Sequence, residues 1–284
     1  MPTTLPLPAP PSTPAWPGPA GLLRLCWQHQ RTLTLLALLW VVAMVPTALG
    51  LWLDSRQVHG LNVWIKPLKF MASLALFAAT TALFIGLLPE ARRRSRAVRF
   101  VVGSIVLAGV FEVAYITLQA ALGQASHYNV SDRLHALLYQ AMGVGALLLC
   151  ATQAVLAVQI QRHGRTDVPA VWRQAVVHGL WLTLLLGAGA GMVLGGVQAP
   201  AGSGVPVVGW HASGDLRPAH FLGMHAQQLL PLFGWALSRL PAVSAPAQRR
   251  LVWLASALVV LAWAVLMAVG LNGAQPMPMP GHLR

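Results

Sequence analysis

Seven apolar runs, each about as long as the roughly 20 helical residues needed to cross a hydrocarbon core about 30 Å thick, constrain this 284-residue chain more than any other feature. They fall near 32–53, 68–88, 98–121, 134–160, 174–196, 218–238 and 251–271. Backbone in lipid must satisfy its own hydrogen bonds, so runs of this length predict an all-α polytopic membrane bundle of about seven transmembrane helices. Pro46 interrupts the first run and Pro231 the sixth, which membrane helices tolerate where neighbours satisfy the freed carbonyls.

Composition supports the same solvent. The chain is 56% hydrophobic and only 9% charged, too poor in charge for an ordinary soluble domain. Its basic excess, 19 Lys and Arg against 6 acids, lies mainly between the apolar runs rather than on one face, so no nucleic-acid interface is expected. Cys26 and Cys150 stand far apart, without CxxC or Cys/His zinc spacing. Residues 1–20 are dense in proline and lack the basic and apolar regions of a secretory signal, which predicts a disordered tail. The expected organisation is a tail and juxtamembrane segment over 1–30, a transmembrane domain over 31–272 and a short flexible tail over 273–284.

Orientation follows from counting bases in the connections. Arg92, Arg93, Arg94, Arg96 and Arg99 lie between runs two and three, Arg162, Arg165 and Arg173 between four and five, and Arg239, Arg249 and Arg250 between six and seven. The positive-inside rule puts these loops and the N-terminus in the cytoplasm and the C-terminus outside. Short loops suit a bacterial inner membrane. The last run contains no lysine for a retinal Schiff base.

The three opposite connections each combine Asp, Arg and His. The first holds Asp54, Arg56, His59, Lys66 and Lys69; the second His127, Asp132, Arg133 and His135; the third His211, Asp215, Arg217, His220 and His225. Loops two and three share a loose order of His, Asp, Arg, His, as a duplicated helical hairpin would. Generic roles compete: Asp132 and Asp215 suit helix caps, Arg and Lys suit headgroups, and Trp52, Trp64 and Trp210 suit an interfacial belt. WIKPLKF, SHYN and GDLRPAHFLGMHAQQLLP read as constrained stretches within these regions.

Depth argues for a site. At 1.5 Å per residue, Glu112 lies about 10 Å below the outer edge and His225 about 11 Å below it, with Tyr139 and Gln140 five or six positions into their helix. Glu112, Tyr115 and Gln119 recur at i, i+3 and i+7, one inward stripe. His220, Met224 and Gln227 form a second stripe, whereas His225 and Gln228 point about 140° from His220, so HFLGMH is not an i, i+4 metal pair. An ionisable group at a helix centre costs about 2.5–3.5 kcal/mol on insertion scales, so Glu112 should be protonated, solvated or paired, with His220, His225, Lys66 and Lys69 as candidates. Gly191 and Gly195 give the GxxxG spacing of close helix packing.

The expected function is an outward-opening pocket binding a cofactor or small ligand. Neutral imidazole is the commonest metal ligand, so His135, His220 and His225 are candidates for a transition metal or haem, with Met224 as a softer axial ligand, in electron transfer or metal handling. The alternatives are a small-solute or proton-coupled transporter titrating at Glu112, a non-enzymatic envelope sensor or assembly protein, and a zinc hydrolase. The chain contains neither HExxH nor GxSxG, and no pattern assigns a catalytic residue. His29, His163 and His178 have no expected site role.

Overall fold

The computed structural model describes residues 17–198, 200, 204–205 and 208–276. Most of the expected N-terminal tail and the end of the C-terminal one lie outside the described residues.

The first described element is α1 (Gly18–His29), a helix where the sequence reading expects tail and juxtamembrane segment. Pro17 supplies its N-cap and Cys26 buries its thiol against the Ala79 carbonyl, so packing rather than propensity holds it. Gln30 breaks the helix in an extended conformation and caps the next by accepting from the Thr32 amide.

The long helices are α2 (Arg31–Leu53), α3 (Ile65–Ile85), α5 (Arg96–Ala121), α6 (Arg133–His163), α7 (Ala170–Leu182), α9 (Arg217–Leu237) and α10 (Ala245–Leu271). A four-residue α4 (Glu90–Arg93) lies in the second connection. A π-helical segment (Thr183–Ala188) continues α7 into α8 (Gly189–Gly195), making one 26-residue rod. Two short antiparallel pairs, β1 (Gln57–Val58) with β2 (Leu61–Asn62) and β3 (Val197–Gln198) with β4 (Gln275–Pro276), complete the described elements.

Six of the expected spans are apolar and long enough to cross a membrane: α2, α3, α5, α6, the α7–α8 rod and α10. The seventh, α9, is of similar length at 21 residues but carries Arg217, two histidines and two glutamines, and falls short on apolarity. Its placement compensates. It runs antiparallel to the rod, with Gly223 against Gly187, Gln227 against Gly179 and Gly234 against Ala175. The α9–α10 turn is closed by Gln248 donating to the Leu237 and Leu240 carbonyls, and β4 returns to β3 at the other end. The seven rods therefore alternate end to end between a polar-loop end (residues 54–64, 122–132, 196–198 and 208–216) and a basic-loop end (86–95, 164–169 and 238–244).

Lipid is as apolar as the helix surfaces, so close packing rather than water exclusion joins these helices. The core lies between α2, α3, α5, α6 and α7, around Trp40, Phe77, Phe84, Ile105, Leu156 and Leu180. Pro46 lies inside the continuous α2, and the next residue, Thr47, donates its hydroxyl to the Ala43 carbonyl.

The closest approach is not at the GxxxG pair. A Cβ at Gly223 would lie 2.5 Å from the Gly187 nitrogen, so α9 and the π segment meet backbone to backbone there. Gly191 instead faces the His220 ring and Gly195 the Tyr139 hydroxyl. That stripe of small residues seats polar side chains.

Candidate functional site

The polar-loop ends of α3, α5, α6, α8 and α9 bring together most of the expected residues. Glu112 is 3% exposed, Tyr115 6% and Gln119 4%, so the i, i+3, i+7 stripe of α5 faces the bundle interior. The Glu112 carboxyl packs on Gly145 of α6, where an added Cβ would meet Oε1 at 3.3 Å. Glu112 Oε2, Tyr115 Oη and Gln119 Oε1 are buried and have no hydrogen-bond partner among the described residues, and neither does Gln227 Oε1 on α9. Buried polar atoms in native proteins are satisfied by protein, water or ligand.

The charge beside Glu112 is Lys66, from the first turn of α3, and neither His225 nor His220 pairs with it. Lys66 is half-buried, with Glu112, Lys69 and Arg217 as its charged neighbours. Lys69 donates to the Val208 carbonyl at 3.1 Å, tying α3 to the third polar loop.

The second polar loop covers the layer. His127 lies edge-on to Phe70, with ring centroids 5.5 Å apart, and its Nδ1 meets the Ser126 hydroxyl at 3.2 Å. Burial first, and then the Lys66 charge, push the His127 imidazole well below its ordinary range, so it is neutral at neutral pH. Tyr128 takes a left-handed φ of 59°, uncommon for a non-glycine residue, and this turns its hydroxyl onto the Leu194 carbonyl at 2.9 Å. Tyr139 donates to the neighbouring Gly195 carbonyl at 3.0 Å. Gln140, expected beside it, is exposed and outside the layer.

The two stripes of α9 separate as helical geometry requires. His220 Nδ1 meets the Gly187 carbonyl at 2.9 Å, Met224 Sδ lies 3.6 Å from Cys150 Sγ, and the Gln227 amide donates to Thr183 Oγ1. The π segment exposes carbonyls that regular helix would consume; His220 takes Gly187 and Trp263 donates to Leu186. His225 faces the other way. Its Nδ1 meets Gln228 Oε1 at 3.2 Å, Gln228 donates to Thr80 of α3, and Phe221 lies tilted against the ring with centroids 4.1 Å apart.

The remaining polar residues are architectural. Asp132 caps α6 by accepting from the His135 amide and contacts His135 Nδ1 at 2.6 Å, which holds His135 at the helix start. Those hydrogen bonds, the backbone one first, hold the Asp132 carboxyl below its ordinary range. Arg133 is exposed, and His59 occupies an exposed turn with φ of 53° followed by Gly60 at 76°, the two-residue hairpin geometry. Asp54 accepts from Arg56 and from Trp64 Nε1, bracing the first loop, and Arg56 also reaches the Ala121 carbonyl.

Asp215 is a buried hub. It accepts from the Arg217 guanidinium, the Arg217 amide and the His211 amide. Burial pushes its carboxyl up, but these hydrogen bonds outweigh it and leave it below its ordinary range. His211 Nε2 is buried without a partner among the described residues.

Among the described residues no three His, Cys, Asp or Glu side chains assemble as a metal site, so His135, His220 and His225 do not form one ligand set. Their elements explain it: one is held by its cap, one faces the π segment and one faces α3. The sequence reading missed Ser126, Tyr128, Thr183 and Thr80; SHYN pointed to the first two, while the π segment carries no recognisable signal. Comparison with known protein families, with characterised proteins and with solved structures gives no match to this chain. The fold and site define its class: a multi-pass helical membrane protein with a buried polar layer toward one end.

Proposed function

We propose that this protein is a proton-linked carrier of a small polar or anionic solute, with its site between Lys66 and Glu112 and its basic loops in the cytoplasm of a bacterial cell. The observation that carries the reading is the row of buried atoms without a partner among the described residues, Glu112 Oε2, Tyr115 Oη and Gln119 Oε1, beside a half-buried lysine. An intramembrane carboxylate is costly unless it is used, and proton relays and solute paths are its commonest uses. Lys66 supplies attraction for an anion, and the polar row on α5 supplies hydrogen bonds. The rod carries a π segment against α9, an irregularity frequent at functional sites, and Pro231, inside the unbroken α9, packs on Gly179 one turn away.

The test is a thermal-shift screen of small carboxylates, inorganic phosphate and amino acids, on purified wild type and Glu112→Gln at two pH values. Modification of Glu112 by a hydrophobic carbodiimide is measured alongside. A compound that raises the wild-type midpoint, slows carbodiimide labelling at least tenfold and loses both effects in Glu112→Gln supports the reading. Labelling and midpoints insensitive to every compound would sink it.

A second reading, haem or metal binding, rests on His220. With Nδ1 on a backbone carbonyl its Nε2 is presented as metal ligands usually are, with Met224 one turn away. Such a centre would need further ligands from the guest or from a partner. An absorption spectrum with metal analysis of wild type and His220→Ala decides it: a Soret band or stoichiometric metal lost in the variant favours this reading over the carrier.

A further inference from the structure

A cleft of about 800 Å³ opens at the basic-loop end between α6, α7 and α10, far from the polar layer. That volume falls within the roughly 300–1,000 Å³ of small-molecule sites. Its far wall is α10, the span least buried by the rest of the chain, on which only Val252, Ser256 and Gly270 are buried.

Both walls change character in the same direction. Along α7 the lining runs Arg173, Val177, Trp181, and along α10 it runs Arg249, Trp253, Ala257, Val260, stripes at helical period that both start at the basic-loop end. At 1.5 Å per residue the stripes extend about 12 Å and 16 Å, about half of a hydrocarbon core near 30 Å and thus one leaflet deep. No acidic residue lines the cleft. The Arg249 guanidinium makes no hydrogen bond or ion pair with the described residues, while Arg173 donates to the Arg165 carbonyl.

Between the arginines and the apolar floor stands one ordered polar pair. Ser256 donates its hydroxyl proton to the Val252 carbonyl, so at the 2.8 Å contact His178 Nδ1 is the donor. His178 Nε2 then remains an acceptor, and Trp253 packs edge-on against the ring at 4.3 Å.

We propose that this cleft binds an anionic phospholipid, its phosphate between Arg173 and Arg249, a headgroup or glycerol hydroxyl on His178 Nε2 and one acyl chain along Val177, Trp181 and Val260. Charge and depth select this occupant. Basic pockets between membrane helices match anionic headgroups, and the apolar stretch ends where a leaflet ends. A helix from a second copy would cross both leaflets and leave the arginines facing apolar residues.

The experiment is native mass spectrometry of the full chain released from nanodiscs of equal phosphatidylglycerol and phosphatidylcholine. Wild type should retain phosphatidylglycerol at least tenfold over phosphatidylcholine. Arg173→Gln/Arg249→Gln should bring that ratio to the bulk value. Ala257→Phe, which fills the cleft from α10, should lower retention of both lipids tenfold with an unchanged elution volume. Arg249→Gln alone, which breaks no hydrogen bond among the described residues, carries the test if the double variant does not fold. Retention at the bulk ratio in wild type, a preference that survives the arginine substitutions, or a dimer that Ala257→Phe dissociates would each overturn the proposal.

Discussion

Two kinds of buried charge meet at the polar-loop end, and they respond oppositely to substitution. Asp215 is saturated with donors, so Asp215→Ala strands the amides of His211 and Arg217 together with a half-buried guanidinium. Breaking such a pair costs about 3 kcal/mol, at the low end of buried pairs because water reaches Arg217, and chemical denaturation in detergent measures it. Glu112 has an oxygen without a donor, so its carboxyl adds little to stability. Glu112→Leu together with Lys66→Met should match or exceed wild-type stability, because exchanging neighbouring opposite charges inside the bundle for apolar groups is neutral or stabilising by about 1–4 kcal/mol. Each single variant should be less stable than the double, since it leaves one charge uncompensated. At the basic-loop end, burial and then the charges of Arg93 and Arg165 lower the His29 imidazole to about 4. Between the ordinary value of 6.5 and that value only the unfolded chain takes up this proton, so stability falls as pH drops through the window. A series of thermal midpoints from pH 7 to 4 should slope downward, and His29→Gln should flatten it.

At the scale of elements, α9 and the π segment form the joint on which the site depends. Gly223→Leu should cost about 3 kcal/mol or prevent folding, because the new Cβ meets backbone at 2.5 Å rather than a movable side chain. Gly103→Leu, on α5 with open space around its Cβ, provides the control and should leave the thermal midpoint nearly unchanged. The stripes on α5 and α9 were legible because 3.6 residues per turn decides which side chains share a face: Glu112 with Tyr115 and Gln119, His220 apart from His225. The π segment was not. It follows from carbonyls that partners on α9 and α10 can satisfy, and nothing local in TLLLGA announces those partners. The same limit hid the role of Gly191 and Gly195, whose spacing suggested backbone contact but whose missing side chains make room for His220 and Tyr139.

For the whole molecule, seven alternating rods put the start of α2 and the end of α10 at opposite ends. Single cysteines at Ser55 or Ser213, in a background lacking Cys26 and Cys150, should react with a membrane-impermeant maleimide in intact cells. Cysteines at Arg94 or Ala242 should react only after lysis. Reaction of both pairs from the same side would refute the seven-crossing arrangement and the orientation proposed from the arginine distribution. The weakly apolar α9 is tolerated because α7, α10 and the π segment cover it, a shielding only the assembled bundle supplies.

Run length and helical period are local properties. They determined the membrane solvent, the positions of the long helices, the inward stripe of α5 and the division of α9 into two faces. Which stripe meets which was decided only by the tertiary structure, because the side chains concerned are separated by tens of residues and their pairing depends on how the rods pack. Packing made Lys66 rather than a histidine the neighbour of Glu112, left Gln140 outside the layer, committed His135 to a cap, and opened a cleft beside His178, to which the sequence assigned no role.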